Sequence, residues 1–176
     1  MGRAGPWLIA TVVAGAVLFA LLTGGGVPDP VGRGSQAPGF ALPDLAGRTV
    51  SLGEQRGKVV LVNFWATWCA PCEAEMPAMQ NLYRQLAGKG FTLLAVSVDE
   101  EAEKVAPFRD RLQLDFPILL DPTQEVAGLY QTYRFPESFL VDRDGVIVER
   151  YIGEKPWDSE AYVERVERLL TAPWAP

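Results

Sequence analysis

The sequence predicts an α/β protein built on one mixed sheet with helices on both faces. Three observations carry that reading. Val59–Trp65 and Phe91–Val98 are unbroken apolar runs rich in β-branched and aromatic residues, the pattern of strands covered on both sides. Each is followed by a segment with apolar residues at helical spacing, giving strand–helix–strand–helix order. Asp142-Arg143-Asp144-Gly145 then separates two further strand-like runs and is a strong hairpin signal, which adds antiparallel pairing.

The elements follow in order. Phe40–Pro43 and Thr49–Leu52 flank a turn that Gly47 can supply, a small N-terminal hairpin. Val59–Trp65 is the first central strand. Glu73–Ala87 places Met76, Met79, Leu82, Tyr83 and Leu86 on one helical face and is stopped by Gly88 and Gly90. Pro77 lies inside that helix and is expected to kink it. Phe91–Val98 is the second central strand, and Glu101–Leu112 a helix with Val105, Phe108 and Leu112 on one side. Ile118–Leu120 reads as a short strand, and Asp121 is placed to cap a helix over Glu125–Tyr130. Ser138–Val141 and Val146–Tyr151 form the hairpin. Asp158–Leu170 closes the chain as an amphipathic helix with Tyr162, Val166, Leu169 and Leu170 as its stripe.

Composition excludes several functions. The chain has 176 residues, 48% of them apolar, and a net charge of −6 without a basic run, so a nucleic-acid partner is not expected. It has no histidine at all, which removes Ser-His and Cys-His catalytic pairs and the usual zinc sites. Carboxylates and thiols remain for proton transfer near neutral pH.

Trp7–Thr23 is uncharged, and Arg3 precedes it. At about 1.5 Å per residue it spans about 25 Å, and extension to Pro6 and Gly26 brings it to bilayer thickness. No good cleavage site follows. Residues 1–26 are therefore read as a membrane anchor or uncleaved signal, with a cleaved signal peptide as the alternative. Either way the domain is exported, an anchor leaving the N-terminus cytoplasmic and the remainder outside. Residues 27–38, rich in Gly and Pro, are a linker, and 39–176 the folded domain. The expected location is the cell membrane, single-pass, with the domain on the extracytoplasmic side, where disulfides persist.

Chemistry concentrates at Trp68-Cys69-Ala70-Pro71-Cys72, which holds the only two cysteines. A dithiol between strand and helix sits near free backbone N–H groups and the positive end of the helix dipole, which favour thiolate. A second sulfur three residues on can resolve a mixed disulfide. A structural staple across so short a loop would contribute only about 2 kcal/mol. With no other cysteine and no histidine, a four-ligand zinc site lacks half its ligands. The spacing points to thiol–disulfide exchange.

The chain from Gln36 to Leu170 resembles the thioredoxin superfamily, and within it the membrane-anchored TlpA/ResA-type branch that includes cytochrome c maturation reductases. The carriers are Phe40–Gly47, Gly57–Cys72, Glu75 with Pro77, and Phe135–Asp142. The resemblance implies a thioredoxin-like fold with an N-terminal hairpin and a helical insertion. It also implies a redox-active Cys69–Cys72 disulfide, with Cys69 the exposed nucleophile and Cys72 the buried resolving thiol. Pro136 matches the family's cis-proline, and Glu75 the glutamate thought to handle protons where thioredoxins proper carry an aspartate at the position of Asn63. Catalytic roles thus fall on Cys69, Cys72, Glu75 and Pro136, and substrate binding on Trp68 and Phe135. No metal and no cofactor are expected. Implied partners are disulfide-bearing exported proteins, such as apocytochrome c, and a membrane electron donor.

Three features depart from the pattern. Glu73 stands where a basic residue is common, Glu75 and Glu137 add further acid, and Phe135 replaces a smaller residue. Negative charge near a thiol raises its pKa. Two alternatives stay open: a peroxidase of peroxiredoxin type, which needs Thr-x-x-Cys where this chain has Thr67-Trp68-Cys69, and a copper carrier, which would lack the usual third ligand, histidine.

Overall fold

The computed structural model describes residues 30–174, together with Val13 and Gly15. The expected anchor at 1–26 lies outside the described residues but for those two. Among the described residues no helix is long and apolar enough to cross a membrane.

The centre of the molecule is a five-stranded sheet whose first strand, β3 (Val59–Trp65), is buried at every position, as is β4 (Phe91–Ser97). Burial on both faces is what an apolar run without alternation demands. The strand order is β5 (Ile118–Leu120), β4, β3, β6 (Glu137–Val141), β7 (Ile147–Ile152). β3 runs parallel to β4 and β4 to β5, whereas β6 lies antiparallel to both β3 and β7. The sheet is therefore mixed, the arrangement that the thioredoxin resemblance implies. A separate hairpin, β1 (Ala41–Pro43) and β2 (Thr49–Ser51), is closed by Asp44. Its carboxylate accepts from the N–H groups of Ala46 and Arg48 at 2.8 and 2.9 Å. Gly47 takes the left-handed φ of +78° that the turn needs.

Within residues 30–174 three α-helices connect the strands, α1 (Ala70–Leu86), α2 (Val105–Leu112) and α3 (Glu125–Leu129), and a fourth, α4 (Glu160–Thr171), follows β7. Met76, Met79, Leu82 and Leu86 line the buried face of α1, with Tyr83 half-buried at its margin. The helix begins at Ala70, three residues before the sequence suggests, because Pro71 stands in its first turn, where a missing N–H costs nothing. It also runs on through Pro77, an exposed position inside the helix. Glu101–Leu112 is not one helix: a 3₁₀ turn at Ala102–Lys104 precedes α2. Helix α4 starts after Ser159 rather than at Asp158, and its most buried residues are Val163 and Val166. Asp121 reaches α3 as expected, accepting from the Ala127 N–H at 2.9 Å.

Part of the expected linker is docked. Gly34 N–H donates to Ile147 O at 2.7 Å, Ile147 N–H to Ser35 O at 2.9 Å, and Ala37 N–H to Gly145 O at 2.9 Å. The open edge of β7 supplies the partners that a Gly/Pro composition hid.

Candidate active site

β3 delivers the chain to the dithiol. After Trp65 the backbone turns, Cys69 N–H donates to Ala66 O at 3.2 Å, and Cys69 becomes the N-cap of α1. Its Sγ accepts from the Cys72 N–H at 3.3 Å, so an otherwise orphan helix donor points at sulfur. Cys69 and Cys72 are joined in a disulfide with Cα atoms 5.2 Å apart. Cys69 is 6% exposed and Cys72 fully buried, so an incoming group meets Cys69 first. Trp68 beside it is 67% exposed.

Behind the disulfide lies a polar cluster in an otherwise apolar core. Glu75, only 3% exposed, sits on the inward face of α1 one turn after Cys72. Its Oε1 accepts from Asn63 Nδ2 at 3.0 Å, and its Oε2 accepts from Lys155 N–H at 3.1 Å and Trp157 Nε1 at 2.9 Å. Burial pushes its pKa from the usual carboxylate range up to about 7, against the pull of the three donors. Asn63 Nδ2 also donates to Ser138 Oγ at 2.9 Å, while the buried Asn63 Oδ1 has no partner. Glu75 is thus no solvated helix carboxylate. It links α1, β3 and the segment entering α4, a structural part that the sequence alone does not show.

Pro136 follows a cis peptide bond from Phe135. Glu137 pairs with Phe64 in the sheet, so Pro136 stands at the end of β3 from which the dithiol loop leaves. The rings of Trp68 and Phe135 meet edge to face at 6.1 Å, bringing the two expected substrate-binding side chains together. The described residues hold no group of three or more His, Cys, Asp or Glu arranged for a metal ion.

Residues 33–150 match the AhpC/TSA family, well over half of the chain. The chain belongs to that family. It is similar to the thiol-disulfide oxidoreductase ResA of Bacillus anthracis, 38% identical over 161 residues that cover 90% of this chain and 93% of that protein. ResA of Geobacillus kaustophilus is 40% identical over 138 residues, 78% of this chain and 79% of that one. Among solved structures, the thioredoxin domain of a Bacteroides vulgatus thiol-disulfide oxidoreductase superimposes with a TM-score of 0.70 at 31% identity, covering 79% of this chain and 98% of the other. This member of the AhpC/TSA family is a thiol–disulfide oxidoreductase.

Against that family background, the acidic departures are largely neutralised. Arg111 of α2 binds Glu73 at 2.6 Å and holds its carboxyl below the usual range. Arg150 of β7 binds the buried Glu137 at 2.6 Å, and Thr132 donates to the other oxygen. Sequence reading counted the acids but not these partners, which lie 38 and 13 residues away.

It also missed Asp99. Buried just past the end of β4, Asp99 accepts from Thr67 N–H at 2.9 Å, Thr67 Oγ1 at 2.5 Å and Ser97 Oγ at 2.8 Å. Thr67 lies two residues before Cys69, so Asp99 anchors the dithiol loop from the neighbouring strand. The Thr67 hydroxyl that Asp99 holds stands one residue closer to the cysteine than the Thr-x-x-Cys of a peroxidase requires. An acid directly after a buried apolar strand was the available signal.

Proposed function

We propose that this oxidoreductase is exported and tethered to the cell membrane, with its dithiol on the extracytoplasmic side, and that it reduces disulfides of exported proteins such as apocytochrome c. Cys69 thiolate attacks a substrate sulfur, forming one S–S bond and breaking the substrate's own; the departing thiolate takes up a proton. Cys72 then loses its proton to the Glu75 carboxylate and attacks Cys69 Sγ, releasing the second substrate thiolate. Two electrons pass to the substrate and the Cys69–Cys72 disulfide is left, to be reduced again by a membrane thiol–disulfide carrier. Trp68, Phe135 and Pro136 frame the groove in which the substrate chain lies.

The observation that carries this reading is the asymmetry of the dithiol. Cys69 caps the helix and keeps 6% of its surface exposed, while Cys72 is fully buried, one helical turn before a carboxylate whose pKa is about 7. A group titrating near the working pH can both take and return a proton. The apolar, uncharged Trp7–Thr23 behind a single arginine supports the tether.

Trapping tests the assignment. Cys72→Ser is expected to accumulate mixed disulfides through Cys69, resolvable by reductant and identifiable by mass spectrometry, and Cys69→Ser to accumulate none. Equal trapping by the two variants would overturn the order of attack. Recovery of no cysteine-bearing exported protein would overturn the substrate class.

A further inference from the structure

We propose that the dithiol end of the domain is held facing the membrane, so that its partners are proteins presenting cysteines at the bilayer surface. The inference rests on reading Trp7–Thr23 as an anchor. It adds to that reading which end of the domain looks back at the bilayer.

The path of the N-terminal segment supplies the direction. Followed backwards, the chain bonds first to the turn and then to the first residue of β7: Ala37 to Gly145, Gln36 opposite Val146, Ser35 and Gly34 to Ile147. It ends at Val31, whose carbonyl accepts from Arg150 Nη1 at 2.9 Å and whose N–H donates to Gln131 Oε1 at 3.2 Å. β7 itself runs from the Asp142–Gly145 turn toward Ile152, which pairs with Glu137 beside Pro136. Beyond that pairing the chain turns at Gly32–Ser35, and Val31 is held by the Arg150 side chain, whose guanidinium also reaches Glu137 beside Pro136, so the exit lies toward the dithiol end. Arg150 fixes the exit, since the same guanidinium holds Glu137, the residue after the cis-proline.

The reach is short. Seven residues, Gly24–Pro30, separate the apolar segment from the docked chain, and even fully extended they span about 25 Å. β3 is seven residues long, so its dithiol end and its far end differ by about 20 Å. With the exit at the dithiol end, that end lies near the surface and the Asp142–Gly145 turn points away. Exposed Leu129 and Tyr133 lie two residues to either side of Gln131, whose side chain accepts from Val31 N–H, and exposed Trp68 stands in the dithiol loop. Beside Trp68 a cleft is lined by Asp99, Glu100, Glu101 and Lys104, with Lys104 bonded to Glu101 at 2.5 Å, so acid remains in excess there. Such acid disfavours direct seating on anionic lipid, and the partner is accordingly a protein.

Energy transfer in vesicles tests the orientation. The full chain, with both cysteines changed to serine, is labelled at Tyr133→Cys or at Lys58→Cys and reconstituted with acceptor-labelled lipid. Dye carried on an unnatural amino acid at the same positions gives a second route that keeps the dithiol. The Tyr133 probe is expected to transfer about threefold or more faster than the Lys58 probe, given the roughly 20 Å between the ends. Inserting about twelve Gly/Ser residues between Val27 and Pro28 is expected to shrink the difference, because a long flexible tether no longer fixes the exit. Equal or reversed transfer in the parent chain overturns the orientation and leaves the tether standing. A difference unchanged by the insertion, or seen only with anionic lipid, also overturns it, since the tether would not be what orients the domain. A chain that stays in the supernatant overturns the tether, and the orientation with it.

Discussion

Asn63 and Glu75 show what one polar pair does inside a core. With Glu75 ionised, Asn63 must turn its amide nitrogen toward it, and that orientation leaves Asn63 Oδ1 buried without a donor. Protonation of Glu75 removes the need: a carboxylic acid can donate, and a flipped Asn63 can accept on Oδ1. The pKa of about 7 reflects burial outweighing three donors. A folded pKa above the unfolded value means that the native state binds more protons, so stability falls as pH rises from about 4.5 to 7. Glu75→Gln is expected to remove that decline, a difference of about 3 kcal/mol at most, read from denaturant midpoints across the pH range. The same variant should also shift the pH dependence of Cys69 alkylation, since a charge near Cys72 disfavours thiolate. Glu75→Ala is a different matter. It leaves Asn63 Nδ2, Lys155 N–H and Trp157 Nε1 without their acceptor and is expected to cost about 2–4 kcal/mol, measured by the same titration.

Strands and helices were legible in proportion to how local their causes are. Val59–Trp65 has the same bounds in sequence and structure because a continuous β-branched run admits little else. The start of α1 was missed because Ala70-Pro71 reads as loop until the Cys69 cap is recognised, and the kink expected at Pro77 does not end the helix. What sequence could not give is pairing across elements. Asp99 and Thr67 are 32 residues apart, and only the parallel alignment of β3 with β4 brings them together. Their function follows from that alignment: a loop carrying a reactive cysteine needs a fixed base, and Asp99 ties its backbone and its hydroxyl to the end of β4. Asp99→Ala is expected to destabilise the domain by about 1–3 kcal/mol, because Thr67 N–H and Ser97 Oγ lose a buried acceptor. Thr67→Val keeps the backbone contact and should cost less. If thermal unfolding gives the two variants equal losses, the hydroxyl and not the backbone is the anchor that matters.

At the scale of the molecule, the domain does not begin where its composition suggests. Gly and Pro made residues 27–38 look like spacer, yet Gly34 and Ser35 pair with Ile147 at the start of β7, where the edge would otherwise present unpaired backbone to a passing strand, and Val31 accepts from the Arg150 side chain. Two side chains depend on it: Arg150 donates to Val31 O, and Tyr130 Oη donates to Pro38 O at 2.9 Å. Tyr130 is fully buried among Phe40, Phe64 and Phe139, so losing its acceptor strands a hydroxyl near the core. Arg150 in turn is the only cation bonded to the buried Glu137 among the described residues. The ordering entropy of the segment opposes these gains, and the net is accordingly smaller than the bond count implies. A soluble form beginning at Pro30 is expected to be more stable than one beginning at Gly39 by about 2 kcal/mol, a difference of about 5–10 °C in Tm for a domain of this size. Edge exposure predicts a second consequence, that the shorter form self-associates at concentrations where the longer one is monomeric by sedimentation. Equal Tm values with equal monomer content would mean that the segment merely rests on β7. A drop in Tm that Arg150→Met reproduces in the longer form would locate the effect at the Val31 clasp.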